Sequence, residues 1–178
     1  MRLFMAGLDV HSAEIAVREA LAFSMEQAKA FLTALVQESG VSGAVLLATC
    51  NRTELYITAE SDISPAELLR AAKSETAVPG LLLLEGRAAA QDLVEGACGL
   101  HSQILHEEQI VTQIGGALEM ARSCHTTDAV LDTLFRTAVS AGKEALTQVA
   151  VSAVPLSVSY RAVQRLEQVL GDLRGKRC

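Results

Sequence analysis

The spacing of apolar residues changes once along this chain, from short runs mixed with helical stretches before Gly86 to helical spacing alone after it. Arg2 to Val10 opens with an apolar run and predicts a strand. Ser24 can cap a helix from Met25 to about Glu38, where Phe31, Leu32, Leu35 and Val36 recur at helical spacing and Gly40 supplies the stop. Val45 to Thr49 predicts a second strand. From Glu54 to Ala59, Leu55, Ile57 and Ala59 alternate with Tyr56 and Thr58, the period of a half-buried third strand. Ser64-Pro65 joins a cap to a proline suited to the first helical turn, so a helix follows from Ala66 to Lys73. Pro79-Gly80 then turns the chain into Leu81-Leu82-Leu83-Leu84, short enough for a buried fourth strand. The order β-α-β-β-α-β is that of a ferredoxin-like split βαβ unit, an α+β fold with a four-stranded antiparallel sheet.

Beyond Gly86 the prediction is all-helical. Ala88 to Ala97 forms one helix, and Glu107 to Cys124 a second that buries Ile110, Val111, Ile114, Leu118 and Ala121. Asp128 caps a third, running to about Leu146 with Val130, Leu131, Leu134, Phe135, Ala138 and Val139 inward. Val154-Pro155 breaks the chain before a last helix from Leu156 to Leu170. The expected division is a sheet-and-helix domain over residues 1–150 and a linker helix over 151–178.

Composition narrows the picture. Half of the 178 residues are hydrophobic but only 3% are aromatic, with no Trp, so the core is aliphatic. A formal charge of −6 argues against this chain holding RNA or a membrane by itself. Cys50, Cys98, Cys124 and Cys178 lie far apart without a CxxC pair, as expected of free thiols in a reducing cytosol. The apolar stretch Leu3 to Leu8 is too short for a leader and breaks at Asp9, and no apolar run approaches a membrane span. A cytoplasmic protein is the expectation.

The chemistry concentrates at Ala48-Thr49-Cys50-Asn51-Arg52-Thr53-Glu54-Leu55-Tyr56. The apolar run Ala44-Val45-Leu46-Leu47 delivers Cys50 to the point where a strand breaks into a turn. A thiol attacks as thiolate, and a nearby fixed positive charge favours that state. Arg52 supplies a guanidinium that can either serve the sulfur or grip a substrate carboxylate through two parallel hydrogen bonds. The competing reading is an inert cysteine packed at a strand end.

The segment from Thr49 to Tyr56 resembles the signature of glutamyl-tRNA reductase, which opens tetrapyrrole synthesis from glutamate. Gly7-Leu8, Arg18 to Phe23, Gly99-Leu100, Ser102, Glu107, Gln109-Ile110, Gln113, Gly142-Lys143 and Ser157-Val158-Ser159 fall in that family's order. The resemblance implies that Cys50 attacks the ester linking glutamate to tRNA and forms a thioester, which NADPH then reduces to glutamate-1-semialdehyde. It further implies that Thr49, Asn51, Arg52, Ser102, Glu107, Glu108, Gln109 and Gln113 line the glutamate pocket. An aminoacyl ester is already activated, so a thiolate can displace the ribose oxygen without a strong acid.

Departures accompany the match. The family's histidine is here Asp92, which leaves Asp92 itself, or His101 or His106 nearby, as candidates for acid/base work. The asparagine-histidine-x-threonine-alanine-proline segment after the first strand is here Asp9 to Glu14. Gly175-Lys176-Arg177-Cys178 resembles the start of the family's nicotinamide-binding domain, and no GxGxxG occurs. The expectation is therefore a catalytic domain that binds no cofactor itself, from an enzyme using NADPH elsewhere. Its implied partners are glutamyl-tRNA, a second subunit joined through a C-terminal domain, and the next enzyme of the pathway. A regulatory relative that keeps the fold without the chemistry is the rival from another class. A thiol redox role lacks a resolving cysteine near Cys50. His11, His101, His106 and Cys98 lack the paired spacing of a zinc site, so no metal is expected.

Overall fold

The computed structural model describes residues 1–38, 40–60, 63–73, 78–101, 109–148 and 158–171. Four strands, β1 (Arg2–Asp9), β2 (Val41–Ala48), β3 (Arg52–Ala59) and β4 (Leu82–Glu85), form one sheet in the order β2-β3-β1-β4. Every neighbouring pair is antiparallel. Between β1 and β2 run α1 (Ile15–Ala20) and α2 (Met25–Glu38), and between β3 and β4 runs α3 (Pro65–Lys73). The second half supplies α4 (Arg87–Ala97), α5 (Gln109–Ser123), α6 (Ala129–Gln148) and α7 (Val158–Leu170). The four-stranded antiparallel sheet and its connection order agree with the expected α+β class.

The signals read at the helix starts have direct physical counterparts. Ser24 and Gln27 form a reciprocal cap: the Ser24 hydroxyl accepts from the Gln27 amide at 3.2 Å, and the Gln27 side chain accepts from the Ser24 amide at 3.0 Å. Asp128 accepts from the Leu131 amide at 2.8 Å. Helix α1 is an addition to the expected order. It buries no side chain, so no apolar stripe announces it.

Both faces of the sheet are covered. Leu32 and Leu35 of α2 and Leu69 of α3 pack on Phe4, Leu46, Leu55 and Ile57. On the other face Leu93 of α4, Ile114 of α5 and Phe135 of α6 pack on Met5, Val45, Leu47 and Tyr56. Strand β3 is therefore buried along its whole length rather than half-buried, and Tyr56 meets Phe135 edge-on with ring centroids 5.3 Å apart. Two expectations reverse: Leu82 and Leu83 are 44% and 57% exposed because β4 is an edge strand, and Val130 at the first turn of α6 is 39% exposed. The other edge, β2, is closed by Thr126, whose carbonyl accepts from the Ala44 amide and whose hydroxyl donates to the Ala44 carbonyl. No helix among the described residues is long and apolar enough to cross a membrane.

Candidate active site

Strands β2 and β3 meet at the turn through Thr49, Cys50 and Asn51, and Thr49 shapes it. Its amide donates to the Arg52 carbonyl at 2.8 Å, while its hydroxyl accepts from the amides of Asn51 and Arg52 at 3.2 and 3.1 Å. A side-chain oxygen thus stands in for a backbone acceptor, as short polar residues do in turns. Cys50 and Asn51 are left exposed at the tip. From α1, Arg18 Nη1 donates to the Cys50 carbonyl at 3.1 Å, and the Thr53 hydroxyl donates to the Leu21 carbonyl at 3.3 Å.

Inward from the turn, the two-residue period of β3 carries Arg52, Glu54 and Tyr56 onto one face. All three are buried. Arg52 Nη1 lies 3.3 Å from one Glu54 oxygen, and the Tyr56 hydroxyl donates to the other at 3.0 Å. Two glycines make the space. A Cβ on Gly7, which pairs with Glu54 across the sheet, would stand 2.6 Å from Glu54 Cγ, and one on Gly96 would stand 2.9 Å from Arg52 Nη1. Burial pushes the Glu54 carboxyl up from 4.5 to about 7, with Arg52 opposing and the Asp92 charge adding to the rise. Burial and the Glu54 charge raise Tyr56 well above 10, so its hydroxyl remains a donor.

Helix α4 brings Asp92 and Glu95 to the same region, with His101 between them. His101 Nδ1 is 3.7 Å from Asp92 and Nε2 is 3.4 Å from Glu95. Its carbonyl lies 3.2 Å from the His11 ring. Gly99 supplies the bend that returns His101 to α4, at φ 80°, a conformation that costs glycine little. Burial raises Asp92 above the usual carboxylate range, while His101 and Arg52 pull it down. A cavity of about 50 Å³ lies among Asp9, Ser12, Glu54, Asp92 and His101. A groove of about 340 Å³, lined by Phe23, Ser24, Ala48, Gln113 and Met120, borders the end of β2.

Arg52, Asp92 and His101 are thus brought together, and Gln113 stands beside the strand that leads to Cys50. Gln109 is exposed at the first position of α5. Ser102, His106, Glu107 and Glu108 lie outside the described residues. Three residues of the site were not singled out for it from the sequence: Glu54, Tyr56 and Arg18. The alternation that starts at Arg52 points to the first two. No local pattern points to Arg18, which is 32 residues from Cys50.

Comparison with known proteins gives a consistent result. Residues 6–149 match the family described as glutamyl-tRNAGlu reductase, N-terminal domain. The chain is 37% identical to a glutamyl-tRNA reductase of Moorella thermoacetica over 94% of its own length and 40% of that protein. It is also 37% identical to one of Acetivibrio thermocellus, over 92% of its length and 51% of that protein. The solved glutamyl-tRNA reductase from Methanopyrus kandleri superposes with a TM-score of 0.75 at 30% identity, across 95% of this chain and 40% of that one. The chain therefore spans 40% to 51% of the length of these relatives.

Proposed function

Since the chain belongs to the family of glutamyl-tRNA reductase N-terminal domains, we propose that it performs the acyl-transfer half of that reaction, with Cys50 as nucleophile. The Cys50 sulfur attacks the carbonyl carbon of the ester joining glutamate to the terminal ribose of tRNA. The C–O bond to ribose breaks, the ribose oxygen leaves with a proton, and the glutamyl group stays on sulfur as a thioester. The observation that carries this reading is Cys50 itself, held exposed at the tip of a turn that the Thr49 hydroxyl closes from within.

The groups beneath the turn suit the rest of the substrate. Arg52 is the residue to take the glutamate side-chain carboxylate, because its planar guanidinium matches a carboxylate bidentately. Glu54 holds Arg52 in the meantime, and burial already inclines Glu54 to accept a proton. An arriving carboxylate thus displaces Glu54 from Arg52, and Glu54 takes up a proton as it yields. His101, oriented between Asp92 and Glu95, is the imidazole that can take the proton given up by the Cys50 thiol and pass it to the departing ribose oxygen. Thr49, Asn51, Ser102, Glu107, Glu108, Gln109 and Gln113 are assigned to the walls of the glutamyl pocket. Reduction of the thioester is hydride chemistry that NADPH supplies in the full-length enzyme, and no residue of this chain is assigned to that nucleotide.

The direct test is to quench the chain with glutamyl-tRNA in acid and map the products by mass spectrometry. A glutamyl adduct confined to the Cys50 peptide and missing in Cys50→Ser is the expected result. An adduct that survives Cys50→Ser, or no adduct from charged tRNA, overturns the proposal.

A further inference from the structure

Arg18 belongs to no part of the chemistry so far, yet it is the side chain that reaches the Cys50 backbone. It sits in the last turn of α1, and Nη1 donates to the Cys50 carbonyl at 3.1 Å. Its Nε is buried without a hydrogen-bond partner, so packing holds the side chain down even though one donor goes unmet. Among the described residues Arg18 makes no ion pair. Arg52, by contrast, shares its charge with Glu54, and only 7% of its side chain is exposed. The Thr53 hydroxyl on the Leu21 carbonyl ties the residue that follows α1 to the start of β3 as well.

We propose that Arg18 is the positioning residue of the nucleophile. Its guanidinium locks the Cys50 peptide through a charge-assisted bond to the carbonyl. Its charge, which no ion pair among the described residues takes up, also makes the surroundings of the sulfur attractive to an anionic reagent or a carboxylate-bearing acyl group. This role rests on the reading of Cys50 as nucleophile. It assigns to a residue outside the cysteine motif the cation that the motif by itself assigns to Arg52.

Alkylation with two reagents separates this from a merely structural role. Iodoacetate is anionic and iodoacetamide neutral, and the same thiolate displaces iodide from both. The ratio of their rates at one pH therefore cancels the thiolate fraction and reads the local potential. In the 178-residue chain, with each thiol followed by peptide mapping, Arg18→Met lowers the ratio at Cys50 about three- to fivefold, the effect of one unit charge a few ångströms away in water. The ratios at Cys98 and Cys124 hold, and Arg18→Lys stays near wild type. Wild type offers a readout without substitution: raising salt to about 1 M brings the Cys50 ratio toward that of Cys124. An unchanged ratio in Arg18→Met, a salt-insensitive ratio in wild type, or a fall in Arg52→Met alone overturns the proposal. Neither measurement requires acyl transfer. A missing glutamyl adduct beside a falling ratio would remove the function reading and leave the Arg18 charge effect standing.

Discussion

At the scale of single residues the decisive feature is a buried carboxyl next to a buried guanidinium. Desolvation outweighs the attraction of Arg52 at Glu54, and the carboxyl sits near 7 rather than 4.5. A group whose folded value is raised binds more protons in the native state than in the unfolded one between those two pH values. Stability therefore falls as pH rises across that window, by about 3 kcal/mol in total for a shift of this size. Urea unfolding at pH 5, 6, 7 and 8 should show this slope in wild type and a shallower one in Glu54→Gln, where the raised Asp92 still contributes, whatever the absolute stability of the variant. A slope as steep in Glu54→Gln as in wild type would place the titration elsewhere. If Arg52 takes the substrate carboxylate as proposed, KM for the glutamyl ester should rise above about pH 7, where ionised Glu54 competes for Arg52, and Glu54→Gln should flatten that rise.

At the scale of elements, helix contacts depend on two glycines that look alike in sequence and behave oppositely. Gly142 of α6 lies against the end of α4, where a Cβ would stand 2.6 Å from the Ala97 carbonyl oxygen and 2.8 Å from Val111 of α5. The first of these is backbone and cannot step aside, so Gly142→Ala should cost about 1–3 kcal/mol through overpacking. Gly116 lies inside α5 with nothing within 4 Å of its would-be Cβ. There the gain in helix propensity acts alone, and Gly116→Ala should stabilise by about 0.5–1 kcal/mol. Chemical denaturation of both variants checks the pair, and a shared sign would contradict the packing described for α6. Helix α1 illustrates the limit of pattern reading at this scale. Six residues without a buried side chain give no periodic signal, yet they carry Arg18 to the Cys50 turn.

At the scale of the whole molecule, the sheet has two apolar faces and each needs a layer. Helices α2 and α3 cover one; α4, α5 and α6 cover the other, where Val45, Leu47 and Tyr56 are nearly inaccessible. A chain ending at Gly86 keeps all four strands and would bare that second face. It should show no cooperative unfolding transition and should bind hydrophobic dyes, whereas the full chain melts cooperatively. A well-folded 1–86 segment would mean that the helical half is dispensable to the sheet. The same layering builds the candidate site, since α4 brings Asp92 close to Glu54 and Gly96 close to Arg52 of β3.

The sequence by itself determined the class of fold, because the alternation of apolar residues, the caps at Ser24 and Asp128 and the turn glycines are local signals with local causes. It also determined the cysteine turn, since Thr49 closes it with bonds to its own near neighbours. Only the tertiary structure decided which faces those elements turn inward. Tyr56 and Thr58 read as the solvated side of β3 and are buried, because helices distant in sequence cover that side. Leu82 and Leu83 read as core and are exposed, because β4 lies at an edge. The partners of Arg52, the embrace of His101 by Asp92 and Glu95, and the reach of Arg18 to Cys50 follow from folding as well. Periodicity records what a residue does within its own strand or helix, while burial and charge pairing depend on what the rest of the chain brings beside it.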